Sequence, residues 1–356
     1  MICTYATKAL LLQKCLSFGR YVMLHVVVSY NDIALHQWEA LVERSAVATW
    51  FQTPEAYRFY TSVPQEMVPF VYAVTEEELL VGVVVGYITH TTNALKQHLT
   101  RRAIIIGGPL LDEHISKQAL TVLLDAVRKG LQHKAIYIET RNFHDYSPWR
   151  SVFEQCGFTY QPHLNFQVDT TTLEVVEQNI GKSRRRDIRT TIREGVEAVM
   201  QPTLGQVHEY YQILHRLYTT KVKTPLFSWA FFEQLYKTES GHFFLTAYQG
   251  RVIGGTVCVC LPKKGVYEWF VCGDDGRYEH IFPSSYATYL GIMYAAENDY
   301  PLFDMMGAGK PDEAYGVRDF KARFGGQQVE HGRYLCICHP LLYKVGTIGV
   351  KILKKK

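Results

Sequence analysis

Several signals that would fix a function at once are missing. The eight cysteines (Cys3, Cys15, Cys156, Cys258, Cys260, Cys272, Cys336 and Cys338) make no C-x-x-C pair. The one metal-like cluster, "CICH" at Cys336 to His339, has no partner at finger-type spacing, so no metal is predicted. Both C-x-C pairs lie in strand-like runs, where period two puts the two thiols on one face, and buried free cysteine is the reading. Such usage suits a reducing cytoplasm.

Long apolar runs are missing too. The segment "ALLLQKCLSFGRYVMLHVVV" is broken by Lys14 and Arg20, and no small-residue cleavage site follows it. Nothing reaches the roughly 18 apolar residues of a membrane span. A plausible fold begins at "MLHVVVSY", so residues 1–23 read as an appendage with Met23 as an alternative start. There is no G-x-S-x-G, no cysteine with a histidine at catalytic spacing, and no Walker loop, since "GAGKPDEAYG" lacks the terminal G-K-[ST]. A net charge of +4 is too small for a dedicated nucleic-acid binder, so any basic site must be local.

What is present is core material and a repeat. The chain has 356 residues, 47% of them hydrophobic, with 24 Tyr and 18 Phe, enough for two packed domains. "AVTEEELLVGVVVGYI" (73–88) and "TAYQGRVIGGTVCVCL" (246–261) each read as strand, polar turn and apolar strand opened by glycine, with Gly82 and Gly255 coinciding. After the first come the helix "SKQALTVLLDAVRKGL", the strand "AIYIET", the short helix "WRSVFEQCGF" and the strand "LNFQVDT". After the second come "SSYATYLGIMYAAEND", "LFDMMG", "VRDFKARFGG" and "GRYLCIC" in the same order. Two mixed α/β units of one topology are the economical explanation.

Two stretches could carry chemistry. In "YGVRDFKARFGG", a helical wheel at about 100° per residue gathers Val317, Phe320 and Phe324 into one arc, with Lys321 on its edge. A lysine there either snorkels to water or enters a cavity that needs a cation. Asp319 and Arg323 are spaced for a surface ion pair. In "KSRRRDIRTTIREGVEAV", Lys182, Arg186, Arg189 and Arg193 share one face, and Ile188, Ile192, Val196 and Val199 form an apolar stripe. The cationic ridge suits phosphate groups; its other reading is a solvated face paired with Asp187 and Glu194.

The order of elements, with "FEQCGF" before a closing strand, resembles the GNAT acyltransferase fold. The duplicated unit resembles the FemABX family, through "WFQTPEAYRFY", "IIIGGPL", "KSRRRDIRTTIREGV", "IFPSSYATYLGIMYAAE", "LFDMMGAG" and "YGVRDFKARFGG", over about residues 24–340. The fold class implied is α/β with mixed sheets in tandem duplicated GNAT-like units. The first unit is expected at 24–168, with strand 327–340 returning to it, the second at 169–326, and a basic tail at 341–356. No heptad run provides a tRNA-binding arm.

The resemblance implies an N-acyltransferase that moves an aminoacyl group from aminoacyl-tRNA to an amine of a peptidoglycan precursor or related glycan or peptide. Alternatives are an acyl-CoA-dependent enzyme and an idle module that binds a glycan, a peptide or RNA. The acyl donor would be a co-substrate, with no bound cofactor. CoA is disfavoured, because "DDGRYEHIFPSSYA" lacks the paired glycines that cradle pyrophosphate. Lys321 falls on the family's functional lysine and would stabilise the oxyanion or leaving group; Tyr315 and Phe320 flank it. Asp304, in "LFDMMGAG", would accept a proton from the attacking ammonium or orient it, its other reading being a loop cap. Relatives acting on nucleotide-linked muropeptides carry a lysine near "FQTPEAYRFY", where this chain offers Arg58 beside Tyr57. That departure admits a lipid-linked precursor, another amine-bearing glycan or a peptide N-terminus as acceptor. The tail "YKVGTIGVKILKKK" suits weak contact with anionic lipid or a frayed, solubilising end, which leaves a cytoplasmic chain with the inner membrane face as the alternative.

Overall fold

The computed structural model describes the backbone of residues 11–17, 20–91 and 100–355, and side chains at 22–91 and 100–347. Two compact units emerge. One takes the described residues up to Thr61, with Met67–Tyr160 and Tyr334–Lys344; the other takes Ser62–Glu66, Gln161–Arg333 and the residues from Val345.

The first unit is built on a nine-stranded sheet. Its strands are β1 (Leu11–Ser17), β2 (Arg20–Val27), β3 (Met67–Glu76), β4 (Leu79–Thr89), β5 (Ala103–Gly107), β6 (Leu110–Leu111), β7 (Tyr137–Asn142) and β8 (Thr159–Gln161), with a late strand at Arg333–Ile337. The spatial order is β1-β2-β3-β4-β5-β7, then the late strand, then β8, with β6 on β4. The expected appendage is therefore part of the sheet from Leu11 onward, because β1 pairs antiparallel with β2 along its whole length. Residues 1–10 lie outside the described residues.

The second unit holds seven strands: β9 (Leu164–Asp169), β10 (Glu197–Val199), β11 (Gly241–Tyr248), β12 (Arg251–Leu261), β13 (Gly265–Gly273), β14 (Leu302–Gly307) and β15 (Gln327–Glu330), in the order β10-β11-β12-β13-β14-β9-β15. The late strand of the first sheet is β16 (Arg333–Ile337). Two boundaries thus differ from expectation. Leu164–Asp169 pairs with β14 and β15 in the second sheet, not the first, and of residues 327–340 only β16 returns to the first sheet. A short run read by order alone cannot show which sheet edge it joins.

The helices follow their patterning. They are α1 (Leu35–Arg44), α2 (Pro54–Ser62), α3 (Lys117–Leu131), α4 (Arg150–Gln155), α5 (Leu173–Asn179), α6 (Lys182–Arg193), α7 (Leu204–Leu217), α8 (Trp229–Tyr236), α9 (Pro283–Glu297), α10 (Gly316–Ala322) and α11 (Pro340–Lys355). In α3 the Ser116 hydroxyl caps Ala119 N–H, and Leu120, Leu123, Leu124, Val127 and Leu131 recur on the buried face. Pro283 opens α9 at its first turn. The expected frayed tail is helical backbone; side chains of its last nine residues lie outside the described set.

The repeat is structural. In each unit an antiparallel hairpin (β3-β4; β11-β12) is followed by a third antiparallel strand (β5; β13), a helix (α3; α9) and a parallel strand (β7; β14). Both hairpins close on two residues with positive φ, Glu77-Glu78 and Gln249-Gly250, the mirror-type turn that matches strand twist. Register corrects one detail. Val74 pairs with Gly82 just before a bulge, and Thr246 pairs with Gly254 just before its own, so Gly82 corresponds to Gly254 rather than Gly255. Each glycine admits a helix: a Cβ would stand 2.9 Å from Leu123 of α3 at Gly82, and 2.7 Å from Pro283 of α9 at Gly254.

Candidate functional site

The site begins where β14 ends. Its last residues are Asp304, Met305, Met306 and Gly307, and pairing to β9 slips between Asp304 and Gly307. Met306 takes φ +56°, a left-handed conformation that an unbranched but bulky side chain adopts at a cost. Asp304 holds the turn, its Oδ1 accepting from Met306 N at 2.6 Å and its Oδ2 from Gln167 Nε2 at 3.0 Å. The consequence is three successive carbonyls converging on one point.

Lys321 occupies that point. Its Nζ donates to the carbonyls of Met305, of Gly307 at 2.9 Å and, most weakly, of Met306 at 3.4 Å. The side chain is 6% exposed. The ammonium therefore does not snorkel to water but is buried on the turn. Arg318 braces the carrier helix from its first turn, donating to the carbonyls of Ala308 at 3.2 Å and Glu313 at 3.1 Å. The wheel erred at one end. Phe324 is buried and Phe320 half-buried, but Val317, in the first turn of α10, is exposed. Asp319 and Arg323 form no ion pair.

Electrostatics follow from burial. Desolvation pulls the Lys321 ammonium below the usual lysine range, opposed by the charges of Glu268 and Asp304. Desolvation pushes Asp304 up to about 6, against its hydrogen bonds and Lys321. Glu268 on β13 is buried as well and raised by the same cause; Thr256 and Thr288 donate to its Oε1 at 3.0 and 2.7 Å, and its Oε2 has no partner. The sequence reading missed Glu268. Its signal was there: an acid inside the apolar strand "VYEWFVC".

The cationic ridge forms on α6. Lys182, Arg185, Arg186, Arg189, Thr190 and Arg193 line an open hollow of about 540 Å³. Arg186 approaches Asp187 at 3.8 Å and Arg193 approaches Glu194 at 3.5 Å, both largely exposed, so these pairs hold the ridge weakly. Among the described residues, Lys182 and Arg189 have no acid at ion-pair distance. The predicted apolar stripe is shorter than expected. Ile188 and Val196 are buried, Ile192 is exposed, and the helix stops at Arg193 with Val199 already in β10.

Residues 237–351, which include Lys321, match the model of the FemAB family. Over that segment the chain is similar to the FemAB family. Its fold is that of the FemX crystal structure, with TM-score 0.68 at 12% identity over 90% of this chain and 99% of that one. L-PGS from Bacillus licheniformis follows it with TM-score 0.55 at 13% identity, covering 88% and 96%. A tandem GNAT protein from the clavulanic acid biosynthesis pathway gives 0.54 at 11% identity, covering 88% and 98%. No curated protein matches the sequence. Likeness at these identities shows the fold: tandem GNAT-like units in mixed α/β sheets. Family model and fold together support a transferase of acyl or aminoacyl groups.

The remaining predicted residues fall in different places. Lys321 and Asp304 come together, as do the four ridge cations. Tyr315 is exposed at the start of α10. Tyr57 and Arg58 belong to the first unit, on α2, where Tyr57 stacks on Tyr30 at 4.6 Å and Arg58 Nη1 donates to the Tyr30 hydroxyl at 2.9 Å. Among the described residues Cys156, Cys258, Cys260, Cys272, Cys336 and Cys338 form no disulfide, and all but Cys338 are buried. Among the described residues no cluster of three His, Cys, Asp or Glu could hold a metal ion, and no helix is long and apolar enough to cross a membrane.

Proposed function

We propose that this chain is an aminoacyltransferase, moving an aminoacyl group from aminoacyl-tRNA to the amine of a cell-wall precursor. The observation that carries the reading is Lys321, a cation buried on a carbonyl turn within a FemAB-like unit. In aminolysis of an aminoacyl ester the amine nitrogen bonds to the carbonyl carbon, the ribose C–O bond breaks, and the amine proton ends on solvent or the departing oxygen. Between these events the acyl oxygen carries negative charge. The Nζ–H that reaches Met306 O at 3.4 Å is the loosest of the three and is the one an oxyanion would capture. Asp304 has both oxygens occupied by Gln167 and Met306, so its role in this reading is to hold the turn that presents Lys321. The ridge on α6 would receive phosphates of the donor, since guanidinium groups bind phosphate in forked pairs. Tyr57 and Arg58, with the flanking Tyr315 and Phe320, are proposed on the acceptor and acyl sides.

A CoA donor is less well served. The N-terminus of α9, where a pyrophosphate would sit, already receives the Asp275 carboxylate, whose Oδ1 accepts from Ser284 N at 3.4 Å. The test is direct. Purified protein is given a mixed pool of charged tRNA or acetyl-CoA, with an amine-bearing muropeptide as acceptor. Tight tRNA binding and acyl transfer from the charged pool are expected. Transfer from acetyl-CoA alone would replace the donor, and binding without transfer from either would make the chain a binding module.

A further inference from the structure

In the run "KSRRRD" one arginine turns inward. Arg184 is 4% exposed, and among the described residues no carboxylate stands at ion-pair distance from it. Its guanidinium lies between two rings, with Cζ 4.6 Å from the centroids of both Phe320 and Phe324. Nη1 donates to Ser285 Oγ of α9, Nη2 to the Phe320 carbonyl at 3.2 Å, and Nε is buried without a partner. Burial pulls its pKa down to about 10, with Asp187 and Asp275 pulling the other way, so it remains a cation at neutral pH.

The receiving helix needs such a donor. A helix as short as α10 leaves its last carbonyls without intrahelical partners, and its C-terminal end is the negative end of the dipole. Two groups from the start of α6 close that end: Arg184 on Phe320 O, and Gly181 N on Arg323 O at 3.1 Å. A side chain at Gly181 would stand 3.0 Å from that second oxygen. Phe320 O belongs to the peptide that joins Phe320 to Lys321, so Arg184 fixes the backbone from which the lysine departs.

We propose that Arg184 is a positioning residue: by capping α10 it keeps Lys321 on the Met305–Gly307 carbonyls and ties that lysine to the helix bearing the ridge. The proposal rests on Lys321 being the working cation. Packing alone would not select an arginine here. A hydrocarbon would fill the slot between two phenylalanines without the cost of a buried charge, but would leave Phe320 O unmet.

The test reads Lys321 itself. Parent, Arg184→Met and Arg184→Gln are acetylated briefly with an amine-reactive ester, and each lysine is followed by mass spectrometry beside a thermal melt. Lys321 should label about tenfold faster in Arg184→Met, as one lost buried hydrogen bond gives, while exposed Lys237 and Lys310 keep their parent rates. Arg184→Gln retains one donor and should fall between, and it serves if the Met variant melts too low. With charged tRNA as donor, turnover should drop about tenfold and donor KM stay within about twofold. The ridge variant Arg186→Glu/Arg189→Glu should raise donor KM and leave Lys321 labelling unchanged. Parent-rate labelling of Lys321 in a folded Met variant overturns the proposal, and so does equal acceleration of all lysines. If Lys321→Met transfers normally, the reading of the lysine falls, while the labelling result still decides whether Arg184 positions it.

Discussion

Phe153 of the first unit and Lys321 of the second hold the same place. Each stands four residues before a glycine with positive φ, Gly157 and Gly325, whose N–H closes the helix on Glu154 O and Ala322 O. Phe153 is wholly buried and stacks on Tyr334 at 3.9 Å. The strands repeat the contrast. Counting from the pairs Ile88–Ala103 and Cys260–Val266, Ile105 of the first unit corresponds to Glu268 of the second. Counting on, Glu139 corresponds to Asp304; Glu139 accepts from Arg141 Nε at 2.9 Å, whereas Asp304 has only neutral donors in contact. One scaffold is thus filled twice, with hydrocarbon and a closed ion pair in the first unit, and with separated charges in the second. Buried charges cost stability unless closely paired. The second unit accepts that cost at the turn that holds Lys321, where the proposed transfer would use a fixed cation.

Substitution at the equivalent positions should separate the two roles. Phe153→Ala should destabilise the protein by about 3–5 kcal/mol, the usual loss for a buried phenylalanine, while activity per folded molecule stays at the parent value. Lys321→Met keeps the packing of the stem but leaves the Met305–Gly307 carbonyls without their donor, so it should lower the melt by less than Phe153→Ala, and it should lower single-turnover transfer per folded molecule by about 10²-fold or more. Lys321→Arg should not restore it, because a planar fork does not fit a three-carbonyl turn. A Met variant that transfers at the parent rate would make Lys321 the structural counterpart of Phe153.

The sequence carried the duplication because hairpin, helix and parallel strand each leave a period that survives without tertiary context. It carried Lys321 because Phe320 and Phe324 marked a buried face beside it. It did not carry which sheet receives Leu164–Asp169 or Arg333–Ile337, since strands of five or six residues pair by geometry set elsewhere. Nor did it carry Glu268 or Arg184. One is a single acid in an apolar strand, and the other hides among three consecutive arginines, where only the spacing to Ile188 marks the inward face.

The unpaired acid gives a smaller, pH-dependent contrast. Asp304 is raised in the folded protein from its ordinary 3.8 to about 6 by burial. Its stabilising, protonated form is therefore fully present below about 3.8, and the benefit is lost as pH rises through about 6. Asp304→Asn should remove that loss, so between pH 4 and pH 7 the variant should gain on the parent by about 2 kcal/mol. Thermal melts across that range check it. A constant difference at all pH values would mean that Asp304 ionises as an ordinary carboxylate despite its burial.

The smallest expected effect concerns helix surfaces. On α3 of the first unit, Arg128 and Lys129 both lean on Asp125, at 3.2 and 4.0 Å, so their charge is locally answered. On α6 the cations outnumber their partners, which is the arrangement expected where an outside anion completes the balance. Reversing Arg186 and Arg189 to Glu should weaken tRNA binding by about tenfold and flatten the dependence of log K on log salt by about two phosphate contacts. The same reversal at Arg128 and Lys129 should change neither, although it alters net charge by the same amount. That control separates a local phosphate seat from general attraction between a basic protein and a polyanion. Equal losses from both helices would leave α6 with no more claim to the donor than α3, and the ridge would then be a solvated face.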